Sequence, residues 1–138
     1  MAGYEVAKRL CFCYGHRLLE YAGKCRNLHG HNALVEVTIS AASLDARGMV
    51  IDFNDLKHTL QSWIDEQLDH RMILRSDDPL LPILREYGEP VLALEQNPTA
   101  ENIARLIFEA GSAEGIELQA VRLWETPDCY AVYSPVCS

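Results

Sequence analysis

The sequence predicts an α+β fold, a four-stranded antiparallel sheet with two helices on one face. Three observations predict it. Apolar residues alternate at period two in four segments, and they recur at helical spacing in two others. These segments run strand, strand, helix, helix, strand, strand, so paired hairpins flank two helices.

Tyr4, Val6, Leu10, Phe12 and Tyr14 keep period two and predict the first strand, which Gly15 ends. Residues 17–30 read as a loop punctuated by Gly23 and Gly30. Val35, Val37 and Ile39 alternate with Glu36, Thr38 and Ser40, predicting a second strand over about 31–42. After a turn at Arg47-Gly48 and the run Met49-Val50-Ile51, Asp52 reads as a helix N-cap. Phe53, Leu56, Leu60, Trp63, Ile64 and Leu68 then form one apolar face over 53–68. Residues 76–98 hold Pro79, Pro82, Pro90 and Pro98 and read mostly as loop. A second helix starts at Asn97-Pro98-Thr99, carries Ile103, Leu106, Ile107 and Ala110 on its apolar face, and is expected to end at Gly111. Gln119, Val121, Leu123 and Glu125 share one face of a third strand, and Cys129 to Tyr133 form the last. The edges of such a sheet would be protected by other subunits.

The 138 residues fit a single domain, 1–138. With 49% hydrophobic and 23% charged residues the chain is globular rather than disordered. A net charge of −8 argues against general affinity for nucleic acid or an anionic membrane. No apolar run approaches a membrane span, and the start MAGYEVAKRL lacks the apolar stretch of a signal peptide. Five cysteines (Cys11, Cys13, Cys25, Cys129, Cys137) are an odd count without a disulfide spacing, so the chain reads as reduced and cytoplasmic. Within residues 1–32, Lys8, Arg9, Arg17, Lys24 and Arg26 face Glu5 and Glu20, a local balance of +3 that leaves −11 for the rest. A basic patch around histidines suits a small anionic substrate. Scattered solvated charges explain it equally well.

The strongest local signal is Cys25-Arg-Asn-Leu-His29-Gly-His31. Residues two apart in an extended segment point the same way, so His29 and His31 share a side. His16 meets them if its strand pairs with theirs. Three imidazoles with a fourth position open is a catalytic zinc arrangement; separate histidines satisfied by hydrogen bonds are the alternative. Cys25, flanked by Lys24 and Arg26, reads as an activated thiolate, a fourth zinc ligand or an inert buried thiol. Asp69-His70 is an acid–base pair if the helix ends there, and otherwise a surface pair. Glu125, in phase with core residues, needs a partner: the adjacent N–H donors of a bound heterocycle, or an internal arginine such as Arg122 or Arg105.

Together the motifs Phe12-x-x-x-His16, Cys25-x-x-x-His29-Gly-His31-Asn32, Gly48-x-x-x-Asp52-Phe53, Leu68-Asp69-His70, Asn97-Pro98-Thr99-Ala100-Glu101-Asn102 and Glu125-Thr126 resemble the 6-pyruvoyl-tetrahydropterin synthase family over nearly the whole chain. The four-residue step from Cys25 to His29 resembles its bacterial 6-carboxytetrahydropterin synthases of queuosine biosynthesis. The resemblance implies the tunnelling fold, ββααββ, oligomerising into a barrel as a homohexamer of two trimers with sites between subunits. It implies Zn2+ on His16, His29 and His31, catalysis by Cys25, Asp69 and His70, and substrate binding by Glu125, Thr99 and Glu101. The implied substrate is 7,8-dihydroneopterin triphosphate, its triphosphate met by the basic residues of positions 1–32. The implied product is 6-carboxytetrahydropterin, with acetaldehyde and triphosphate released. A pyruvoyl-forming synthase, and a non-catalytic pterin- or purine-binding module with a structural zinc, are the rivals. The chain departs from the family at Cys13-Tyr14-Gly15, where small residues are usual, and at Arg71-Met72-Ile73-Leu74, where Leu-Asn often follows the Asp-His pair. Tyr14, in phase with His16, is expected to narrow the pocket.

Overall fold

The computed structural model describes residues 2–135, and Cys137 lies outside them. The two longest strands, β1 (Tyr4–His16) and β2 (His29–Ala41), pair antiparallel along their full length, from Tyr4 opposite Ala41 to His16 opposite His29. Helix α1 (Phe53–Gln67) follows, then β3 (Arg71–Arg75), α2 (Leu80–Glu86), β4 (Val91–Leu94), α3 (Ala100–Ala113), β5 (Ala120–Thr126) and β6 (Cys129–Tyr133). The sheet order is β4-β3-β1-β2-β5-β6.

This corrects the four-stranded antiparallel expectation. The described residues form six strands and three helices rather than four and two, in the order ββαβαβαββ rather than ββααββ, and the sheet is mixed, because β3 runs parallel to β1 and β4 runs parallel to β3. Ile73 and Leu74 point to opposite faces, yet both are fully buried. A parallel strand covered on both faces reads as a continuous apolar run, without the alternation that marks a half-exposed strand. The prolines of 76–98 sit at element boundaries rather than in one long loop. Pro79 caps α2, Pro82 lies in its first turn, Pro90 precedes β4 and Pro98 precedes α3. Proline is tolerated in a first helical turn because those N–H groups have no partner within the helix.

The core lies between the sheet and two helices. Leu56, Leu60 and Ile64 of α1 and Ile103, Ala104 and Ile107 of α3 pack with Leu10, Phe12 and Tyr14 of β1, Val35 and Val37 of β2, and Val121 and Leu123 of β5. Each such leucine or isoleucine stabilises the fold by about 1.5–3 kcal/mol. Phe53, expected on the apolar face of α1, is 48% exposed in its first turn. The Asp52 cap falls as expected, its side chain accepting from the Asn54 N–H at 2.8 Å, and α3 is capped by Thr99, whose Oγ1 accepts from the Asn102 N–H at 3.2 Å. Gly111, however, does not end α3. It stands inside the helix because a Cβ there would lie 2.5 Å from Leu118 Cδ1, and the chain turns instead at Gly115 with φ +84°.

Candidate functional site

The β1–β2 pairing places His16 opposite His29 and Tyr14 opposite His31. On β1, parity puts His16 on the face of Leu10, Phe12 and Tyr14; on β2 it puts His29 and His31 on that of Ala33 and Val35. The three rings converge, with centroids 4.5 Å apart for His16–His29 and 5.1 Å for both other pairs. One donor atom from each lies within 4.8 Å of the others.

Two carbonyls set the donor atoms. His16 Nδ1–H donates to Pro98 O at 2.6 Å, and His29 Nδ1–H donates to Asn27 O at 2.7 Å. A carbonyl only accepts, so the neutral rings carry their lone pairs on Nε2. The Nε2 atoms of His16, His29 and His31 are all buried without a hydrogen-bond partner. Burial also pushes His16 below the ordinary histidine pKa, against the opposing hydrogen bond to Pro98, and so favours the neutral, ligating form. Three orphaned, convergent imidazole nitrogens fit a divalent cation of the zinc class. The motif around Asn97 sustains this geometry. Its side chain exchanges two hydrogen bonds with the Leu19 backbone, at 2.9 and 2.8 Å, and its carbonyl accepts from Asn102 Nδ2 at 2.9 Å. The positioning carbonyls of Pro98 and Asn27 escaped the sequence reading, because backbone acceptors leave no signature in residue type.

Glu125 reaches the rim of the tripod. Its oxygens lie 3.9 Å from His16 Nε2 and 3.9 Å from His31 Nε2. The internal arginines considered as its partners are engaged elsewhere: Arg105 pairs with Glu109 at 2.8 Å, and Arg122 lies 3.8 Å from Glu36. The partner is Tyr14, whose hydroxyl donates to Glu125 Oε1 at 3.1 Å. Burial, then the adjacent carboxylate charge and this bond, push the phenol far above its usual pKa and keep it a donor. The Tyr14 ring also packs edge-on against His16, with centroids 5.0 Å apart.

Cys25 sits in a single 3-10 turn, Lys24–Arg26, half-buried, with its carbonyl accepting from the Leu18 N–H at 2.8 Å. Its sulfur is not among the donors grouped at the tripod. Asp69 and His70 follow the end of α1 and do face each other, with His70 Nδ1–H donating to Asp69 Oδ2 at 2.8 Å. His70 reaches this pose at φ +58°. Partial burial works to raise the Asp69 pKa, but hydrogen bonds from the Cys13 N–H and from His70 outweigh it and hold the carboxyl below its usual range. The cysteine grouped with this pair is Cys13, not Cys25. Thr99 spends its hydroxyl on the α3 cap, and Glu101 is exposed in the same first turn. The basic patch is partly neutralised: Arg17 pairs with the buried Asp78, and Arg9 with Glu36 at 3.1 Å. Lys24 and Arg26, on either side of Cys25, remain exposed. A cavity of about 730 Å³ opens beside these elements, lined by Cys13, His29, His31, His70 and Met72 among others.

The chain is 37% identical over 133 residues to the 6-carboxy-5,6,7,8-tetrahydropterin synthase of Rickettsia conorii, covering 91% of this chain and 96% of that protein. It is 33% identical over 138 residues to the Haemophilus influenzae protein of the same name, covering 94% and 98%. Its fold superposes on Caenorhabditis elegans 6-pyruvoyl tetrahydropterin synthase with a TM-score of 0.72 at 25% identity, covering 99% and 98% of the two chains. The family model of 6-pyruvoyl tetrahydropterin synthase matches residues 5–136, and the chain belongs to that enzyme family.

Proposed function

We propose that the protein is a zinc-dependent lyase. It converts 7,8-dihydroneopterin triphosphate and one water to 6-carboxytetrahydropterin, releasing acetaldehyde and triphosphate. The observation that carries this reading is the tripod of His16, His29 and His31, with three buried, unpartnered Nε2 atoms beside the Glu125 carboxylate. The names of the relatives favour the carboxy product over the pyruvoyl one.

Zinc held by the tripod would polarise the side-chain hydroxyls of the substrate, lowering their pKa. The protein's own groups do the rest. Glu125 accepts two adjacent N–H donors of the pterin ring and anchors it. Cys25, as thiolate, moves protons at the carbons beside the ring. His70, oriented by Asp69, is the second acid–base group. Asp69 and His70 group with Cys13 rather than Cys25, which supports a reading in which they serve the Cys25 of a neighbouring subunit. This fits an assembly of two trimers whose sheets join into a barrel. Thr99 and Glu101 border the pterin pocket, and Lys24 and Arg26 meet the triphosphate.

The test is incubation of the zinc-loaded protein with dihydroneopterin triphosphate and assay of acetaldehyde. Acetaldehyde supports the reading. A pyruvoyl pterin without it supports the pyruvoyl-forming synthase, and no turnover with zinc bound supports a binding module. Cys25→Ala is expected to keep its zinc, measured by atomic emission, and to lose turnover. Loss of zinc would make Cys25 a ligand instead.

A further inference from the structure

We propose that Cys13, Asp69 and His70 form a second site for a zinc-class divalent cation, distinct from the three-histidine tripod. One donor atom from each lies within 4.8 Å of the other two. Zinc bonds of about 2.0–2.3 Å imply tetrahedral donor–donor edges of roughly 3.3–3.8 Å, so the cluster needs only small side-chain movements to close. A thiolate, an imidazole and a carboxylate together select zinc over magnesium or calcium.

Backbone contacts hold the three donors in place. The Cys13 N–H donates to Asp69 Oδ1 at 2.9 Å, and the His70 N–H donates to the Cys13 carbonyl at 2.7 Å. These bonds tie the end of β1 to the turn after α1. His70 holds a left-handed φ of +58°, a conformation that persists in a non-glycine residue only where its surroundings impose it. Strand parity separates the two sites: His16 shares a face with Tyr14 and Phe12, whereas Cys13 points to the opposite face of β1. Cys13 and His70 both line the 730 Å³ cavity, which leaves a path for a cation.

Binding would release the thiol proton of Cys13. His70 would ligate as neutral imidazole through Nδ1 with its proton on Nε2, and Asp69 would exchange its bond from Nδ1–H for the metal. A His70 held in this way cannot transfer protons, so excess metal inhibits the enzyme. That consequence rests on the acid–base role proposed for His70; the binding itself does not.

The test is cobalt(II) titration of the metal-stripped full chain. The expected result is a second equivalent of cobalt, accompanied by a thiolate-to-cobalt charge-transfer band. Both should be lost in Cys13→Ser and in Cys13→Ala, and both kept in Cys25→Ala. A single equivalent in the wild type overturns the proposal. So does a band that disappears with Cys25→Ala and survives Cys13→Ser. Absence of turnover on pterin would leave these readouts untouched, so failure of the enzymatic reading is separable from failure of this one.

Discussion

Tyr14 is 3% exposed and commits its hydroxyl to Glu125, so a bulky phenol stands beside the three-histidine tripod. The bond leaves Glu125 facing the tripod rather than solvent. A hydrogen bond to a charged group is worth about 1.5–3 kcal/mol, so Tyr14→Phe should raise KM for the pterin by roughly ten- to a hundredfold. Metal content measured on the same sample should not change, because Tyr14 touches the rings without donating to their nitrogens. A second residue-scale prediction concerns Arg17 and Asp78. The Arg17 hydrogen bond holds the buried Asp78 below the usual carboxylate range. A depressed folded pKa stabilises fully above the unfolded value of about 3.9, and the contribution is lost as pH falls through the lower folded value. Arg17→Ala strands a buried charge and should cost about 3 kcal/mol at pH 7 by urea unfolding. Asp78 would then prefer its neutral form, so the gap between variant and wild type should narrow as pH falls toward 3.

At the scale of elements, α3 and the loop after β1 decide the site. The α3 N-terminal segment carries Pro98, whose carbonyl orients His16, and Asn97, which pins Leu19. Its far end is fitted to Leu118 through Gly111. Alanine is ordinarily better than glycine inside a helix by about 1 kcal/mol, yet Gly111→Ala would push a methyl into Leu118. The clash should win, with a net loss of about 1–2 kcal/mol in denaturant unfolding. The elements with half-exposed faces were legible from the chain, because alternation and helical spacing record burial on one side. β3 was not, since a strand covered on both faces has no alternation to read, and β4, half-buried at every position, shows none either. α2 was hidden by prolines that serve as its boundary.

At the scale of the whole molecule, the six-stranded sheet ends in β4 and β6. Edge strands of this kind are closed by pairing with other subunits in the proposed assembly. The proposed sharing of a site between the Cys25 of one subunit and the Asp69–His70 pair of another fits the same assembly. Mixing subunits of Cys25→Ala with subunits of His70→Ala, each inactive alone, should therefore restore part of the wild-type turnover. Light scattering should show mixed oligomers of unchanged size. If activity stays absent in confirmed mixed oligomers, the two groups do not meet across an interface.

The residues alone determined the α+β class and the placing of His29 and His31 on one side of their strand, while the β1–β2 pairing brought His16 to them. Period-two parity is a local property, and it survives folding wherever one face is buried. Only the tertiary structure decided which partners those residues take. It joined Tyr14 to Glu125 in place of an arginine, Arg17 to Asp78 in place of a phosphate, and Cys13 to Asp69 and His70 in place of Cys25. Each pairing joins positions between 56 and 111 residues apart in the chain. Such contacts depend on how elements stack and in what register, which no local pattern of polarity encodes.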